Sequence, residues 1–323
     1  MLDQIGLKYL FTREEVDYSY RGGDKTTDGK NFVQYYESIL NPLIDRPIRF
    51  LEIGVWTGCS IAMWSEYFSN GIIYGIDCHL STFKKCAPIL SNKGAFKDKT
   101  LSIYSFHQLL KGEGRLNLND EGPPEGSVQS LENKNNPLES DVNLFECNTL
   151  KKQFVYLVLN CLPQFDIILD DGNHTSLSQY RNFKILFNYM NPNGIYIIED
   201  IENRSQFFSY KYFGYIIQLF NGQSIDSIRE DYYKIKYQNH KSKCTNLKNK
   251  LLKINLAINK APKNIEYLIK TKQDLEKSLS DRDIDMEPVI HLKFDKLLLS
   301  KQLLVEQISK IEDRKDHIIF FKK

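Results

Sequence analysis

"FLEIGVWTGCSIAMWSEYFSNGIIYGID", residues Phe50 to Asp77, changes its hydrophobic period twice. Ile48 to Ile53 is a short apolar run with one acid near its end, the pattern of a buried strand. Gly54 to Gly58 is a turn. Ser60 to Phe68 then places Ile61, Trp64 and Phe68 at helical spacing, and Gly71 to Asp77 is a second apolar run closed by an acid. Strand, glycine turn, helix, strand is a βαβ unit, and such a unit makes parallel pairs.

The same grammar returns further along. "FDIILDD" (Phe165 to Asp171) and "GIYIIED" (Gly194 to Asp200) read as two more buried strands. The helical stretch Leu177 to Met190 joins them, with Pro192 and Gly194 forming the turn into the second. Alternating strands and helices predict an α/β fold with a doubly wound, mostly parallel, Rossmann-like sheet. "PVIHLKFDKLLLSK" (Pro288 to Lys301) predicts a C-terminal antiparallel hairpin turning at Asp295-Lys296. The expected organisation is an N-terminal helical entry segment over 1–45, a core over 46–301 with insertions at about 82–141 and 220–287, and a tail over 302–323.

Two segments depart from the pattern. Lys111 to Ser140 is rich in Gly, Pro, Asn and acids and reads as a mobile insertion. Tyr232 to Gln273 holds eleven lysines and one acid, Glu266. Leu247, Leu251, Ile254 and Ile258, then Ile265, Leu268, Leu275 and Leu279, recur at helical spacing and predict two helices outside the sheet.

Composition narrows the classes. The chain has 323 residues with a net charge of +2, so no whole-chain field points to nucleic acid or a membrane surface. No apolar run approaches the roughly 20 residues that span a bilayer. The opening lacks a basic start followed by an apolar run, so no secretory signal is expected. Six cysteines without a CxxC pair read as reduced thiols, and a cytoplasmic location is expected.

The glycine turn after the first strand can bring backbone N–H groups close to a ligand. The dinucleotide fingerprint G-x-G-x-x-G is absent. Glu52, placed before the turn, would repel a pyrophosphate and suits a cofactor bearing an amino group and a sulfonium. Asp77, at the end of the second strand, can accept both hydroxyls of a ribose. Together they describe S-adenosylmethionine, against the competing reading of a generic strand-to-helix turn with a surface acid. Gly54, Gly58 and Asp170 join this expected cofactor-binding set.

In an open α/β sheet, ligands lie outside the carboxyl ends of the strands. Asp170 and Asp171 end one strand, and Glu199 and Asp200 end the next. Neighbouring strands lie about 5 Å apart, so four acids converge on one rim. Without a cation they would repel each other. A hard divalent ion, Mg²⁺ by default, resolves that. The competing reading has Asp171 or Asn173 capping the following helix and Arg181 pairing with an acid. Alternation along a strand also turns Asp170 away from Asp171. His174 lies three residues beyond Asp171 at the start of a helix, where a neutral imidazole is suited to taking a proton from a hydroxyl.

These residues carry a resemblance. The chain resembles the class I S-adenosylmethionine-dependent methyltransferases, and among them the metal-dependent O-methyltransferases of macrolide deoxysugars, with rhamnosyl O-methyltransferase and cephalosporin-hydroxylase-like kin. "FLEIGVWTGCSIAMW" is similar to that family's E-I-G-V-x-x-G-x-S-x-x-M-W, "FDIILDDGNH" to its D-D-G-S-H segment with Asn173 for Ser, and "NGIYIIEDI" to its E-D strand. "RGGDK" resembles its G-T-D-K entry with Gly23 for Thr, and "VNLFECNTLKKQF" its third strand and following turn. The resemblance implies Asp171, Glu199 and Asp200 as metal ligands and His174 as general base, with Glu52, Gly54 and Asp77 holding the cofactor. Asn148 stands where the family usually has Asp near the adenine. The implied activity is metal-dependent O-methylation of a hydroxyl on a sugar, a polyol or a glycosylated small molecule. A catechol-type acceptor is the alternative. So is a methyltransferase-like module that binds nucleic acid or another anionic partner through the lysine-rich helices. A homo-oligomer is compatible with the sequence.

Overall fold

The structure is a computed structural model, and it describes residues 1–16, 22–105, 140–151, 154, 162–208, 212–260, 269–277, 297–298, 300–314 and 317–323. Most of the acidic, glycine-rich stretch 111–140 lies outside the described residues. Eight strands form one sheet: β1 Arg49–Ile53, β2 Ile72–Asp77, β3 Leu101–Ser105, β4 Val142–Glu146, β5 Phe165–Asp170, β6 Met190–Ile198, β7 Ile308–Asp313 and β8 Ile318–Lys322. Their order is β3-β4-β2-β1-β5-β6-β8-β7. The first six in that order pair in parallel, and β8 runs antiparallel to both β6 and β7. The chain leaves β1 toward β2 on one side and returns to β5 on the other. The carboxyl ends of β1 and β5 therefore flank the switch point where such sheets bind ligands.

The helices are α1 Leu2–Lys8, α2 Phe32–Leu40, α3 Cys59–Tyr67, α4 Ser81–Asn92, α5 Ser176–Leu186, the single turn α6 Arg204–Phe207, α7 Gly214–Phe220 and α8 Ile225–Lys260. The expected β1–α3–β2 and β5–α5–β6 units are present. The interior strands are buried along nearly their whole length, which is why they read as continuous apolar runs. Trp64 of α3 is fully buried, with its ring 4.8 Å from that of Phe50 and 6.2 Å from that of Phe68. The helix is thereby pinned onto the sheet beside the glycine turn after β1. The N-terminal segment packs on the same helix. A Cβ at Gly6 in α1 would come within 2.6 Å of Thr26 Cγ2 and 2.9 Å of Met63 Sδ, so only glycine allows this approach.

Three expectations change. The antiparallel hairpin exists, but it is β7–β8, within the tail that carried no assignment, and not Pro288 to Lys301. Of that stretch, Leu297, Leu298, Ser300 and Lys301 are helical, and the turn proposed at Asp295-Lys296 lies outside the described residues. The run that forms the hairpin's second strand is "IIFFK", which lies between β6 and β7. β3 was not foreseen. Pro192 and Gly194 do not precede β6 but fall inside it, where Asn193 takes a left-handed φ of 61° and the register shifts beside β5.

The chain divides into two compact units, one of Met1–Phe207 with Gln307–Lys323 and one of Phe208–Glu306. The first holds the sheet. The second holds α7 and the 36-residue α8, with Tyr215, Ile228 and Leu298 as a small buried cluster. The first predicted lysine-rich helix falls within α8. Of the second, residues 269–277 are helical and 261–268 and 278–280 lie outside the described residues. Among the described residues no helix is long and apolar enough to cross a membrane.

Candidate active site

The site is built at the carboxyl ends of β1, β2, β5 and β6. A cavity of about 520 Å³ opens there, within the range of small-molecule pockets. Its wall includes Gly54, Val55, Trp56, Asp77, Asn148, Asp171, His174 and Asp200. Gly22 to Thr26 of the N-terminal segment form another part of the wall.

The turn after β1 is shaped by two close approaches. Gly54 adopts a φ of 96°, and a Cβ on it would lie 2.2 Å from the Asp171 carbonyl oxygen. Only glycine satisfies both the angle and the space. Gly58, with a φ of 85°, is the N-cap of α3, and a Cβ there would strike the Phe83 ring at 2.4 Å. Gly58 therefore shapes the turn without lining the cavity. Asp77 braces the same loop. Its Oδ2 accepts the Val55 and Trp56 N–H groups at 2.9 and 3.0 Å, and its Oδ1 accepts that of His79 at 3.0 Å. A carboxylate has about four acceptor sites, so Asp77 retains capacity toward a ribose. Trp56 is held in a left-handed conformation (φ 45°), and the residue is 48% exposed and lines the cavity. Asn148 reaches the cavity wall and accepts the Leu150 N–H at 2.9 Å, which tightens the turn after β4.

Glu52 is fully buried under this loop. Its Oε2 accepts the Ser60 hydroxyl at 2.9 Å, while Oε1 has no hydrogen-bond partner and lies 3.6 Å from the Lys25 ammonium. Burial raises its pKa to about 8, against the opposing charge of Lys25. Glu52 thus sits behind the turn and not on the cavity wall.

At the tips of β5 and β6 the four acids separate. Asp170 is buried on the α5 side of the sheet, where Oδ2 accepts the Asn182 amide at 3.1 Å and the Tyr196 hydroxyl at 3.4 Å. Burial raises its pKa to about 7. It does not line the cavity, so the structure does not bring it to the expected cofactor set. Strand alternation is the reason: Asp171 points the other way. Glu199 is also buried. Its Oε2 accepts Lys25 Nζ at 2.7 Å and its Oε1 accepts the Tyr36 hydroxyl. Burial pushes its pKa well above the carboxylate range, although Lys25 opposes the shift.

Asp171, His174 and Asp200 do come together. One donor atom from each lies within 4.8 Å of the others. His174 Nε2 is 3.9 Å from Asp200 Oδ2, and its Nδ1 is buried without a hydrogen-bond partner. Asp200 follows β6 with a φ of 50°, a left-handed turn that Asp tolerates and that ends the strand. Thr175 caps α5 by accepting the Ser178 N–H, which fixes the helix start directly after His174. Two carboxylates, an imidazole and an unpaired ring nitrogen suit a divalent ion completed by water.

The residue that sequence reasoning missed is Lys25. It is 2% exposed, donates to Asp171 and Glu199, and lies near Glu52. Burial disfavours its charge, but the carboxylates of Asp171, Glu199 and Glu52 outweigh that and raise its pKa well above the ordinary value. Its partners are 146 and 174 residues away in sequence, so the G-T-D-K resemblance marks the lysine without revealing what it pairs with. Lys30 of the same segment donates to Asp200 and pairs with Asp24 at 3.1 Å.

No protein-family model matches the chain. It is 24% identical over 174 residues to 8-demethyl-8-alpha-L-rhamnosyl tetracenomycin-C 2'-O-methyltransferase of Streptomyces olivaceus, a match covering 52% of this chain and 32% of that one. It is 23% identical over 177 residues to demethylmacrocin O-methyltransferase of Streptomyces fradiae, covering 53% and 31%. The chain therefore spans about a third of the length of the curated relatives it matches. A solved structure of the MycE methyltransferase from the mycinamycin biosynthetic pathway, with Mg, SAH and mycinamycin VI, aligns with 99% of this chain and 54% of that one at 16% identity and a TM-score of 0.42.

Proposed function

We propose that this chain is an S-adenosylmethionine-dependent O-methyltransferase acting on a hydroxyl of a sugar or glycosylated small molecule, with a divalent ion, Mg²⁺ by default, at Asp171 and Asp200. The observation that carries the reading is the convergence of Asp171, His174 and Asp200 on the wall that also holds the Gly54 turn and Asp77. The sugar O-methyltransferases among the relatives support the acceptor class.

In this reading Gly54, Val55 and Trp56, whose N–H groups are held by Ile76 and Asp77, form the wall against the donor, Asp77 accepts from its ribose, and Asn148 faces its adenine end. Glu52 acts from beneath, as the buried acid that holds the first turn of α3 through Ser60. A divalent ion bound between Asp171 and Asp200 would lower the pKa of an acceptor hydroxyl. His174 would take the proton of that hydroxyl, and its oxygen would receive the methyl as the donor's S–CH3 bond breaks and S-adenosylhomocysteine leaves. Positioning of the two reactants supplies most of the rate. The Gly22 to Thr26 wall narrows the cavity and limits water around the reacting atoms.

The test is a methyl-transfer assay with labelled S-adenosylmethionine, with and without EDTA, offering glycosylated acceptors beside a catechol. Transfer to a glycoside that EDTA abolishes is the expected result. Transfer to the catechol alone would move the acceptor class, and no transfer together with no binding of S-adenosylhomocysteine by calorimetry would overturn the proposal.

A further inference from the structure

We infer that Ser178 is the positioning residue for His174: its Oγ accepts the Nδ1–H of the imidazole and so leaves the Nε2 lone pair to take the acceptor's proton. The inference rests on the base role given to His174 above and names what holds the ring in the form that role needs.

A neutral imidazole carries its proton on one nitrogen only, and the partner of the other nitrogen settles which. Nε2 of His174 faces the acidic cluster, 3.9 Å from Asp200 Oδ2. A base acting there has its proton on Nδ1, and Nδ1–H then calls for an acceptor. That atom is buried and has no hydrogen-bond partner. His174 stands directly before Thr175, the cap of α5. Side chains in a helix lean toward its N-terminus, so those of the first turn lie back over the residues that precede it. Ser178 is in that first turn, one helical step of four residues beyond His174. It is fully buried, lines the same cavity, and its Oγ has no hydrogen-bond partner either.

The local capping pattern leaves this hydroxyl uncommitted. A polar side chain at the third helical position commonly reaches back to the N–H of the cap residue. Here that N–H is already taken, because Thr175 donates to Asn173 Oδ1 at 3.1 Å. The Ser178 N–H goes to Thr175 Oγ1 at 3.4 Å and the Gln179 N–H to the Thr175 carbonyl at 3.1 Å. Gln179, the next buried side chain, is turned toward the end of β6, where its amide donates to the Glu199 carbonyl at 2.9 Å. Among these first-turn side chains, Ser178 is the one that reaches the cavity wall. Ser178 Oγ and His174 Nδ1 are not bonded to each other in the structure. Catalytic hydrogen bonds of this kind tighten when the reactants are bound. Once the pair closes, the Ser178 hydroxyl proton has an acceptor in the carbonyl one turn back, which is that of His174 itself.

The first test is long-range ¹H–¹⁵N NMR of the full chain labelled at histidine, with S-adenosylhomocysteine and Mg²⁺ bound. The His174 signals are those missing from His174→Gln. Wild type should show neutral His174 protonated on Nδ1, and Ser178→Ala should move at least about half of the ring to the Nε2-protonated form. In the methyl-transfer assay Ser178→Ala should lose roughly ten- to a hundredfold in kcat, with KM for the donor and S-adenosylhomocysteine affinity within about threefold. Ser178→Thr keeps the oxygen and should stay within about fivefold of wild type. If its extra methyl prevents folding, the spectra of wild type and Ser178→Ala decide. The melting temperature of Ser178→Ala should be unchanged or raised, since the free protein loses no bond there. A merely structural serine would instead lower it and leave the tautomer alone, which overturns the inference. Wild-type His174 protonated on Nε2 overturns it, as does lost turnover in Ser178→Ala without a change of tautomer. Full turnover in Ser178→Ala beside lost turnover in His174→Ala overturns it and leaves the base role standing. Full turnover in His174→Ala overturns both.

Discussion

The tips of β5 and β6 carry nearly the same dipeptide, Asp170-Asp171 and Glu199-Asp200, on neighbouring parallel strands. In both, the first acid is buried and the second reaches the cavity. The means differ. Asp170 is held by two neutral donors, Asn182 and Tyr196, and sits on the helix side of the sheet. Glu199 is held by a charged donor, Lys25, and a phenol on the side of the N-terminal segment. The lesson is that an acid at a strand end does not by itself reach the cavity. Which face the side chain takes, and what its oxygens already pair with, decides that.

The strongest way to break this division of labour is at the outer residues. His174→Ala should lower methyl transfer by roughly 10²- to 10⁴-fold while S-adenosylhomocysteine still binds, read by single-turnover transfer and calorimetry. Unchanged transfer would remove the proton-accepting role. The pair Asp171→Asn and Asp170→Asn sharpens the contrast between adjacent residues. The first should reduce transfer by roughly a hundredfold or more. The second should leave transfer within a few-fold and change stability by less than about 1 kcal/mol, since an amide keeps an acceptor for Tyr196. Equal losses in the two would show that the inner and outer acids are not distinct.

A third test addresses the backbone that supports the β5 tip. Gly54→Ala adds a Cβ 2.2 Å from the Asp171 carbonyl at a φ of 96°. Urea denaturation should show a loss of at least about 2 kcal/mol, with weaker cofactor binding. The smallest effect is expected at an acid outside the cluster. Glu66 accepts from Lys8 at 2.7 Å and from Tyr9. Burial opposes its ionisation, but these bonds prevail and its pKa is lowered. A lowered carboxylate pKa stabilises the fold above the unfolded value near 4.3, and that contribution is lost as pH falls through the folded value. Glu66→Gln should therefore flatten the decline in melting temperature below about pH 4.5, by less than about 1 kcal/mol because the pair is solvent-screened.

Much of this arrangement was legible in the sequence, for identifiable reasons. β1, β2, β5 and β6 are interior strands, so their apolar runs are unbroken and end abruptly at acids. The glycine turn and the Asp77 brace lie within 30 residues of each other, so spacing alone connects them. The two ends of the sheet were less legible. β7 alternates polar and apolar residues, β3 stands apart from any βαβ signature, and the leucines near Leu297 satisfy a strand and a helix count equally over a short window. Lys25 was hidden for a different reason. "GGDKTTDG" has the composition of a solvated loop, and only the closing of α2 against β6 places its lysine among three acids. The separation of Glu199 from Asp200 was hidden with it.

The Asp171 N–H donates to the Ile53 carbonyl at 2.9 Å while the Asp171 carbonyl presses against Gly54. The loop after β1 and the tip of β5 are therefore welded at a single seam of main chain. On the proposed function, an engineer who re-sizes the acceptor side would also disturb the donor side. Residues 52–58 and 170–174 would have to be transplanted together, as one cassette.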